Sequence, residues 1–185
     1  MKFILKVDEN IELRLRSLED VESSFAVTRK NINHLKTFLN WATDNFSIED
    51  SEKFIIACEE GFVNEKNLDL GIFYQGKIIG SCGFHTIRKN NKVAEIGYWI
   101  DEDFQGKGII SKCVKALVVY GFEELGLNRI QILCATENKA SGAVAIKCGF
   151  KLEGTLRKNV MSNGVVYDSF IFSIISDEYN NSKNI

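Results

Sequence analysis

The sequence predicts an α/β fold built on one mixed sheet of about seven strands with helices on both faces. Three observations support this prediction. One strand comes first, and two or three amphipathic helices follow it. Three strands with short turns come next, and a helix–strand–helix–hairpin unit completes the order. The helical crossover in that unit places residues 129–135 beside, or parallel to, the strand at residues 93–100, and such a sheet needs helices to cover its faces.

The first elements are predicted from alternation and helix capping. Residues 11–16 alternate between apolar side chains on one face and charged ones, Arg16 among them, on the other, as a half-buried strand does. Ser17 and Ser47 each stand three positions before an aspartate, which predicts two helix starts with a capping box. A further helical piece is expected within residues 32–41. The helix after Ser47 is rich in acids, which indicates a solvated face or, alternatively, an acidic wall that attracts a cationic substrate.

The second half is predicted to be mostly sheet. Strands are expected at residues 68–74, 78–87, 93–100, 129–135, 150–161 and 165–175. A long helix is expected at about residues 107–126, and a shorter one at residues 139–147 ends before Gly149. Asn163 and Gly164 form the strongest hairpin-turn signal in the chain, because this pair favours a type I′ turn.

Length and composition predict one domain without a metal. The 185 residues are expected to form a single domain (1–185), with a core at about residues 8–176 and a frayed tail at 177–185. A net charge of -2, from 23 basic and 25 acidic residues, argues against a nucleic-acid binder. Five scattered cysteines predict free thiols, which suit a cytoplasmic protein, and neither a zinc site nor a disulfide framework. No apolar run approaches the ~20 residues that a membrane span requires.

The strongest functional signal lies at residues 95–110. Gly106 and Gly108 stand between a predicted strand and a predicted helix, and they allow backbone N–H groups to approach a ligand closely. The helix that follows adds unpaired N–H groups and the positive end of its dipole. This geometry binds anions and phosphate above all, with a plain tight turn as the alternative.

The same stretch resembles the acetyl-CoA loop of the GCN5-related N-acetyltransferases, the GNAT superfamily. The family pattern is Gln/Arg-x-x-Gly-x-Gly/Ala. The segment Gln105-Gly106-Lys107-Gly108-Ile109-Ile110 matches it at Gln105 and Gly108, with Ile110 where the family usually has a small residue. Blocks at residues 95–100, 138–141 and 147–157 add to the likeness, which covers about residues 8–176. The likeness is greatest to the RimJ/RimL branch, the ribosomal-protein N-acetyltransferases.

The resemblance implies acetyl-CoA as cosubstrate, no metal, and two parallel strands that splay apart at the cofactor site. The acetyl group is expected beside Trp99 and Ile100, facing the strand of Cys134, and the pyrophosphate on the loop. The residues that the resemblance assigns to the cofactor are Trp99, Ile100, Gln105, Gly106, Lys107, Gly108, Ile109, Ile110, Asn138 and Ser141. The three acids at residues 101–103 must then point away from the phosphates. A homodimer is a further expectation from the family.

Acetyl transfer requires a neutral amine and a proton for the leaving thiolate. Glu95 is the candidate base, directly or through a water, unless it is only a salt-bridged strand residue; His85 is the runner-up. Relatives supply the proton from a tyrosine at the position of Ala145, so Ser141 is the nearest substitute here, unless it merely starts a helix. A thioester route through Cys134 is the alternative to direct attack, against a buried structural thiol.

The acceptor is predicted to be the N-terminal amine of a protein, ribosomal by resemblance. Such an amine has a pKa of ~8 and needs less help to become neutral than a lysine or polyamine amine at ~10.4. Phe38, Trp41 and His85 are candidates for the acceptor site, although core packing also explains the two aromatic residues. The rival functions are acetylation of a small amine, such as a polyamine or an aminoglycoside-like compound, and a non-catalytic acyl-CoA-binding module.

Overall fold

A single mixed sheet of eight strands organises residues 2–183, the part of the chain that this computed structural model describes. The strands are β1 (Ile4–Lys6), β2 (Ile11–Arg14), β3 (Leu68–Tyr74), β4 (Lys77–Arg88), β5 (Val93–Ile100), β6 (Arg129–Ala135), β7 (Lys151–Ser162) and β8 (Val165–Ile175). Their order across the sheet is β1-β2-β3-β4-β5-β6-β8-β7. The prediction of a mixed sheet is confirmed, and the strand beyond the expected seven is β1. It is too short to show a pattern and is held by pairing with β2.

Within residues 2–183, six α-helices pack around this sheet. They are α1 (Val21–Lys30), α2 (Ile32–Leu35), α3 (Ile48–Val63), α4 (Ile109–Glu123), α5 (Lys139–Lys147) and α6 (Ser176–Lys183). Phe84 of β4 lies under Gly121 of α4, whereas Ser81 points to the other face. There Ser81 contacts Arg16, whose guanidinium lies over Phe54 of α3. The helices therefore lie on both faces, as predicted.

The two helix starts predicted at Ser17 and Ser47 both occur, but they begin different kinds of helix. Ser47 caps α3 as expected, because its Oγ accepts from the backbone N–H of Asp50 at 3.4 Å and its own N–H donates to the Asp50 carboxylate at 3.0 Å. Ser17 also forms the predicted capping box, because its N–H donates to the Asp20 carboxylate at 2.9 Å, but the element it caps is one turn of 3₁₀ helix, and α1 begins only at Val21.

The tail is more ordered than predicted. Residues 177–183, expected to fray, belong to α6, and Tyr179 is 8% exposed. Its ring stacks on Phe122 of α4 with centroids 4.9 Å apart, and its hydroxyl contacts Glu123. One aromatic side chain thus anchors a polar helix that has little apolar pattern of its own. Residues 184 and 185 lie outside the described part of the chain.

The parallel strands β5 and β6 separate after three paired positions. Val93 faces Arg129, Ala94 faces Ile130 and Glu95 faces Gln131, and within these two fully described strands the ladder ends there. β6 stays paired with β8 through Ala135, and β5 stays paired with β4 through Ile100. The implied splaying is confirmed, and it leaves one edge of each strand without a partner.

The core lies on both faces of the sheet, and the alternation of buried and exposed side chains in β2 does not extend to Arg16. Leu13, Leu70, Ile96 and Leu117 are among the fully buried side chains, and all five cysteines are buried free thiols. Arg16, predicted for the charged outer face of the first strand, lies beyond the end of β2 and is buried. None of the helices in residues 2–183 combines the length and apolarity that crossing a membrane would need.

Candidate active site

Two cavities meet where β5 and β6 separate. The larger has a volume of about 850 Å³ and extends toward α1 and α3, and the smaller, of about 370 Å³, lies beside the loop that precedes α4. Six residues border both cavities: Phe38, Leu39, Tyr98, Trp99, Asn138 and Ser141. The cavities therefore adjoin at these six residues, and the place where they adjoin is called the passage.

The loop before α4 presents backbone amides to the smaller cavity. Gly106 and Gly108 have φ angles of +73° and +74°, which side chains rarely adopt, and Gly108 is the N-cap of α4. The first turn of α4 carries no acidic residue that would occupy its free N–H groups. Lys147 adds a positive charge, because its Nζ lies 3.9 Å from the position that a Cβ of Gly108 would take. The arrangement suits a diphosphate.

Two of the three acids that precede this loop, Asp101 and Asp103, pair with Lys30, whereas the Glu102 carboxylate lies 3.9 Å from His34 Nδ1. Asp101 is buried and accepts from Lys30 Nζ at 2.8 Å, and Asp103 pairs with the same ammonium. Burial alone would raise the pKa of Asp101, but the hydrogen bonds from Lys30, the Asp103 N–H and Asn31, together with the charge of Lys30, outweigh it and lower that pKa. Asn31 accepts from the backbone N–H of Glu102. These contacts hold the turn against the end of α1. They also place the negative charges of Asp101 and Asp103 beside the Lys30 ammonium.

The free edge of β5 lines the passage between the cavities. Trp99 and Ile100 pair with Ser81 and Gly80 on the β4 side only. On the opposite edge of β5, which faces β6, the main-chain groups of residues 96–100 have no strand partner because β6 has separated from β5. An unpaired strand edge supplies N–H donors at a fixed position, which suits a carbonyl oxygen that gains negative charge during acyl transfer.

A histidine–glutamate pair lies at the side of the larger cavity. His85 is the extra residue of a bulge in β4, and its ring occupies the space over Gly97, where a Cβ would lie 2.8 Å from Nδ1. Its Nε2 lies 3.1 Å from Glu95 Oε1, and Gln131 Nε2 donates to Glu95 Oε2 at 2.9 Å. His85 borders the larger cavity, whereas Glu95 borders neither, so Glu95 lies behind the ring.

These contacts shift both pKa values. Burial alone would raise the pKa of Glu95, but the hydrogen bonds from His85 and Gln131 outweigh it and hold the pKa below its usual range. The hydrogen bond to Glu95 raises the pKa of His85, and partial burial opposes this. The glutamate is therefore ionised at neutral pH, and it orients and stabilises a protonated imidazole.

Tyr98 and Ser141 form a hydroxyl pair at the passage. Tyr98 Oη donates to the Ser141 carbonyl at 3.0 Å and lies 3.0 Å from Ser141 Oγ. Asn138 caps α5 by accepting from the Ser141 N–H at 3.1 Å. Ser141 thus has both roles weighed from the sequence, since it belongs to the first turn of a helix and also presents a hydroxyl. Burial keeps Tyr98 protonated by raising its pKa.

Aromatic side chains wall the larger cavity. Trp41 is 43% exposed, and its ring lies 6.3 Å from that of Trp99 and 5.9 Å from that of Phe46. Phe38 packs against Tyr167 at 5.6 Å. Phe38, Trp41 and His85 all border this cavity, which is where the sequence predicted an acceptor to lie.

Residues 10–151 match the family described as an acetyltransferase (GNAT) domain. This match covers most of the chain and includes the loop, the free edge of β5 and the hydroxyl pair. The chain belongs to the GNAT acetyltransferase family. The splayed strands and the glycine loop remain the candidate acetyl-CoA site of this family member.

Three relatives support a common arrangement over nearly the whole acetyltransferase. The ribosomal-protein-serine acetyltransferase of Escherichia coli (strain K12) is 33% identical over 94% of this chain and 97% of its own length. A RimL ribosomal L7/L12 alpha-N-protein acetyltransferase was solved with coenzyme A in a disulfide to a cysteine. It superposes with a TM-score of 0.91 at 31% identity, over 95% of this chain and 99% of that one. The microcin C7 self-immunity acetyltransferase MccE, solved with acetyl-CoA and AMP, gives 0.87 at 36% identity, over 92% and 94%.

The residues of this acetyltransferase fit acetyl-CoA, which supplies the activated acetyl group when bound. Nine of the ten residues assigned to the cofactor border the smaller cavity: Trp99, Ile100, Gln105, Gly106, Gly108, Ile109, Ile110, Asn138 and Ser141. Ile110 is buried in the helix and does not block the loop. Among the described residues, no cluster of His, Cys, Asp or Glu could hold a metal ion.

The structure also shows what the sequence did not single out. Lys107 does not border the smaller cavity, because its Nζ donates to the Asp103 carbonyl at 2.8 Å and lies over the Phe104 ring. Lys147 is the nearer cation, and only folding brings α5 to the loop. Tyr98 was also missed. A tyrosine between Gly97 and Trp99, near the end of β5, was the available signal.

Proposed function

We propose that this acetyltransferase acts on the N-terminal α-amine of a protein, a ribosomal protein by its likeness to the Escherichia coli serine acetyltransferase. The observation that carries the proposal is the base. The cavity presents an imidazole backed by an ionised carboxylate, at the side of the passage to the cofactor site. This is a base of moderate strength, which suits an amine of moderate pKa.

Magnitudes favour that acceptor over a lysine. An α-ammonium with a pKa of ~8 is ~2.4 units more acidic than a lysine ammonium at ~10.4, which is about 3 kcal/mol in the cost of deprotonation. The raised pKa of His85 brings it closer to that of an α-amine, so proton transfer from the α-ammonium to His85 becomes less unfavourable. With a lysine as acceptor, proton transfer to His85 would be more unfavourable by most of that cost, about 3 kcal/mol for the ~2.4 pKa units between the two amines.

The proposed reaction is direct attack in a ternary complex. The amine loses a proton to His85, which Glu95 orients, and its nitrogen then bonds to the thioester carbon. Main-chain N–H groups on the free edge of β5 stabilise the carbonyl oxygen. The carbon–sulfur bond breaks, the nitrogen releases its second proton to Ser141 Oγ, and Ser141, which Tyr98 contacts, gives its own proton to the departing thiolate and so ends as a neutral hydroxyl.

A covalent intermediate on the cysteine is not part of this proposal. Cys134 borders the larger cavity, but burial raises the pKa of its thiol, and the nearby Ser141 and Lys139 only oppose that effect. A thiol that stays protonated is a poor nucleophile.

A homodimer remains a prediction, which light scattering on the purified chain would test.

A small amine is the second candidate acceptor. The cavity of about 850 Å³ is large enough for a drug-sized molecule, and Asp50 and Asp69 border it. The likeness to MccE, an immunity acetyltransferase solved with AMP, points the same way. Asp50 belongs to α3 and Asp69 to β3.

Steady-state rates distinguish the two acceptors. A Ser-starting peptide, the same peptide with a blocked α-amine and one internal lysine, and spermidine would each be supplied with acetyl-CoA. We expect acetylation of the free N-terminus, seen by mass spectrometry as one added acetyl group on the first residue. Turnover of spermidine alone would favour the second candidate. Coenzyme A release without any acceptor product would reject both.

A further inference from the structure

The larger cavity contains a buried arginine that forms no salt bridge among the described residues. Arg16 is 3% exposed, and its Nη2 donates to Ser81 Oγ at 3.4 Å and to Cys58 Sγ at 3.8 Å. The guanidinium lies 4.8 Å from the centre of the Phe54 ring. Among the described residues, no carboxylate lies within 4.0 Å of it. A buried charge with only neutral partners is unfavourable unless a ligand completes it.

Two polar atoms in this region have no hydrogen-bond partner. Arg16 Nε and Ser24 Oγ are both fully buried and unpaired, and both residues border the larger cavity. Unpaired buried donors are rare in folded proteins. Two of them at one cavity indicate a ligand group that accepts hydrogen bonds.

The sheet is shaped to bring this guanidinium toward the passage. Arg16 crosses β3 at Gly71, where a Cβ would lie 3.2 Å from Arg16 Cγ. Gly71 pairs with Ser81, and Ser81 pairs with Trp99. Adding a strand spacing of ~4.8 Å to the Arg16–Ser81 contact places the guanidinium roughly 8–10 Å from the edge of β5.

The charges around the cavity set the chemistry of the ligand. Arg16 is the one Lys or Arg among the described residues that border it, and the other titratable groups facing it include Asp50, Asp69 and His85. Asp50 is engaged as a helix cap. Burial raises the pKa of Asp69, and the charge of Arg16 opposes this. A cation beside an acid suits an acceptor that carries both an ammonium and a carboxylate.

We propose that Arg16, together with Ser24, binds a carboxylate of the acceptor close to the amine that is acetylated. A distance of roughly 8–10 Å corresponds to the side chain of the second or third residue of an extended peptide, at ~3.4 Å per residue. The preferred substrate then has Asp or Glu at one of these positions. This inference rests on the proposed N-terminal acceptor and adds a sequence preference to it.

Matched peptides test the subsite without changing the enzyme. Ser-starting peptides with Asp at position 2, 3 or 6, and their Asn counterparts, would be compared by kcat/KM. We expect the Asp peptide to exceed the Asn peptide by about tenfold at position 2 or 3, mainly through KM, and to equal it at position 6. Equal rates at every position would overturn the subsite but leave the proposed function intact. Failure to acetylate any peptide would instead reject the proposed function.

Variants then assign the preference to Arg16. In Arg16→Met the Asp-to-Asn ratio should fall to about one, whereas Arg14→Met should retain it, because Arg14 lies outside the cavity against Asp20 and Phe73. Thermal unfolding would verify that each variant folds. If Arg16→Met does not fold, Ser24→Ala should still lower the ratio. A ratio that Ser24→Ala leaves unchanged would overturn the assignment. Inhibition by AMP with no peptide preference would also overturn it, in favour of a phosphate.

Discussion

The two cavities are built by different means. The cofactor side relies on main chain: left-handed glycines, the first turn of α4 and the free edge of β5. The acceptor side relies on side chains from distant segments, among them Arg16, Trp41, His85 and Ser141. A main-chain N–H group is still present after most substitutions, whereas a single substitution removes the functional group of a side chain. Cofactor binding should therefore fail only when the backbone is disturbed, and acceptor choice should respond to single residues.

The largest expected effect is on the cofactor side. Gly108→Val places a β-branched residue at φ +74° next to Lys147, so the loop must refold or α4 must lose its first turn. We expect coenzyme A affinity to fall by about 100-fold or more, measured by calorimetry. Gly154→Ala is the matched control, because a Cβ there meets nothing within 4 Å. Unchanged affinity in Gly108→Val would show that the loop does not hold the diphosphate.

The next effect concerns the base. His85→Gln should lower kcat/KM for a peptide by about 100-fold while coenzyme A affinity stays constant. In the native enzyme only the neutral imidazole accepts a proton, so kcat/KM should rise with pH through the raised pKa of His85. Glu95→Gln removes the interaction that raises this pKa, so the rising limb should move to lower pH. A limb that stays in place, or moves to higher pH, would contradict the pairing.

The hydroxyl pair should matter less. Ser141→Ala is expected to lower kcat by only about tenfold, because a thiolate whose conjugate thiol has a pKa of ~8.5 leaves readily without a proton. Tyr98→Phe removes the partner hydroxyl but keeps the ring, and it should give a smaller decrease. Single-turnover rates at saturating acetyl-CoA would measure both. A larger loss in Tyr98→Phe than in Ser141→Ala would make the tyrosine the proton donor.

The difference between a cavity built from one contiguous segment and a cavity built from distant side chains also determined which features the sequence could predict. The cofactor loop is contiguous, so its glycines, the strand before it and the helix after it all appear within residues 95–110. The branch resemblance added Asn138 and Ser141. The parting of β5 and β6 followed from family likeness, because no local pattern in either strand encodes the loss of a partner.

The acceptor side was only partly predictable. Arg16 continues the alternation of the first strand and was assigned to its outer face, but the strand ends at Arg14 and the chain turns inward. His85 borders the same cavity as Ser81, but the bulge that leaves it unpaired on β4, with its ring over Gly97, is not revealed by alternation. The order of α6 depends on Tyr179 meeting Phe122, a contact between residues 57 positions apart in the sequence.

The smallest expected effect separates two lysines near the phosphate site. Lys147 lies beside Gly108, whereas Lys107 is engaged with the Asp103 carbonyl and the Phe104 ring. An exposed ion pair contributes about 1 kcal/mol at most, so Lys147→Met should weaken coenzyme A binding by about fivefold. Lys107→Met should change it by less than about twofold, because its ammonium already has a partner. The two affinities would be measured at low and high salt, since only the Lys147 contribution should decline with ionic strength. If Lys107→Met proved the more damaging, the loop would have to turn that side chain toward the diphosphate on binding, and the main-chain account of this cavity would need a charged side chain added to it.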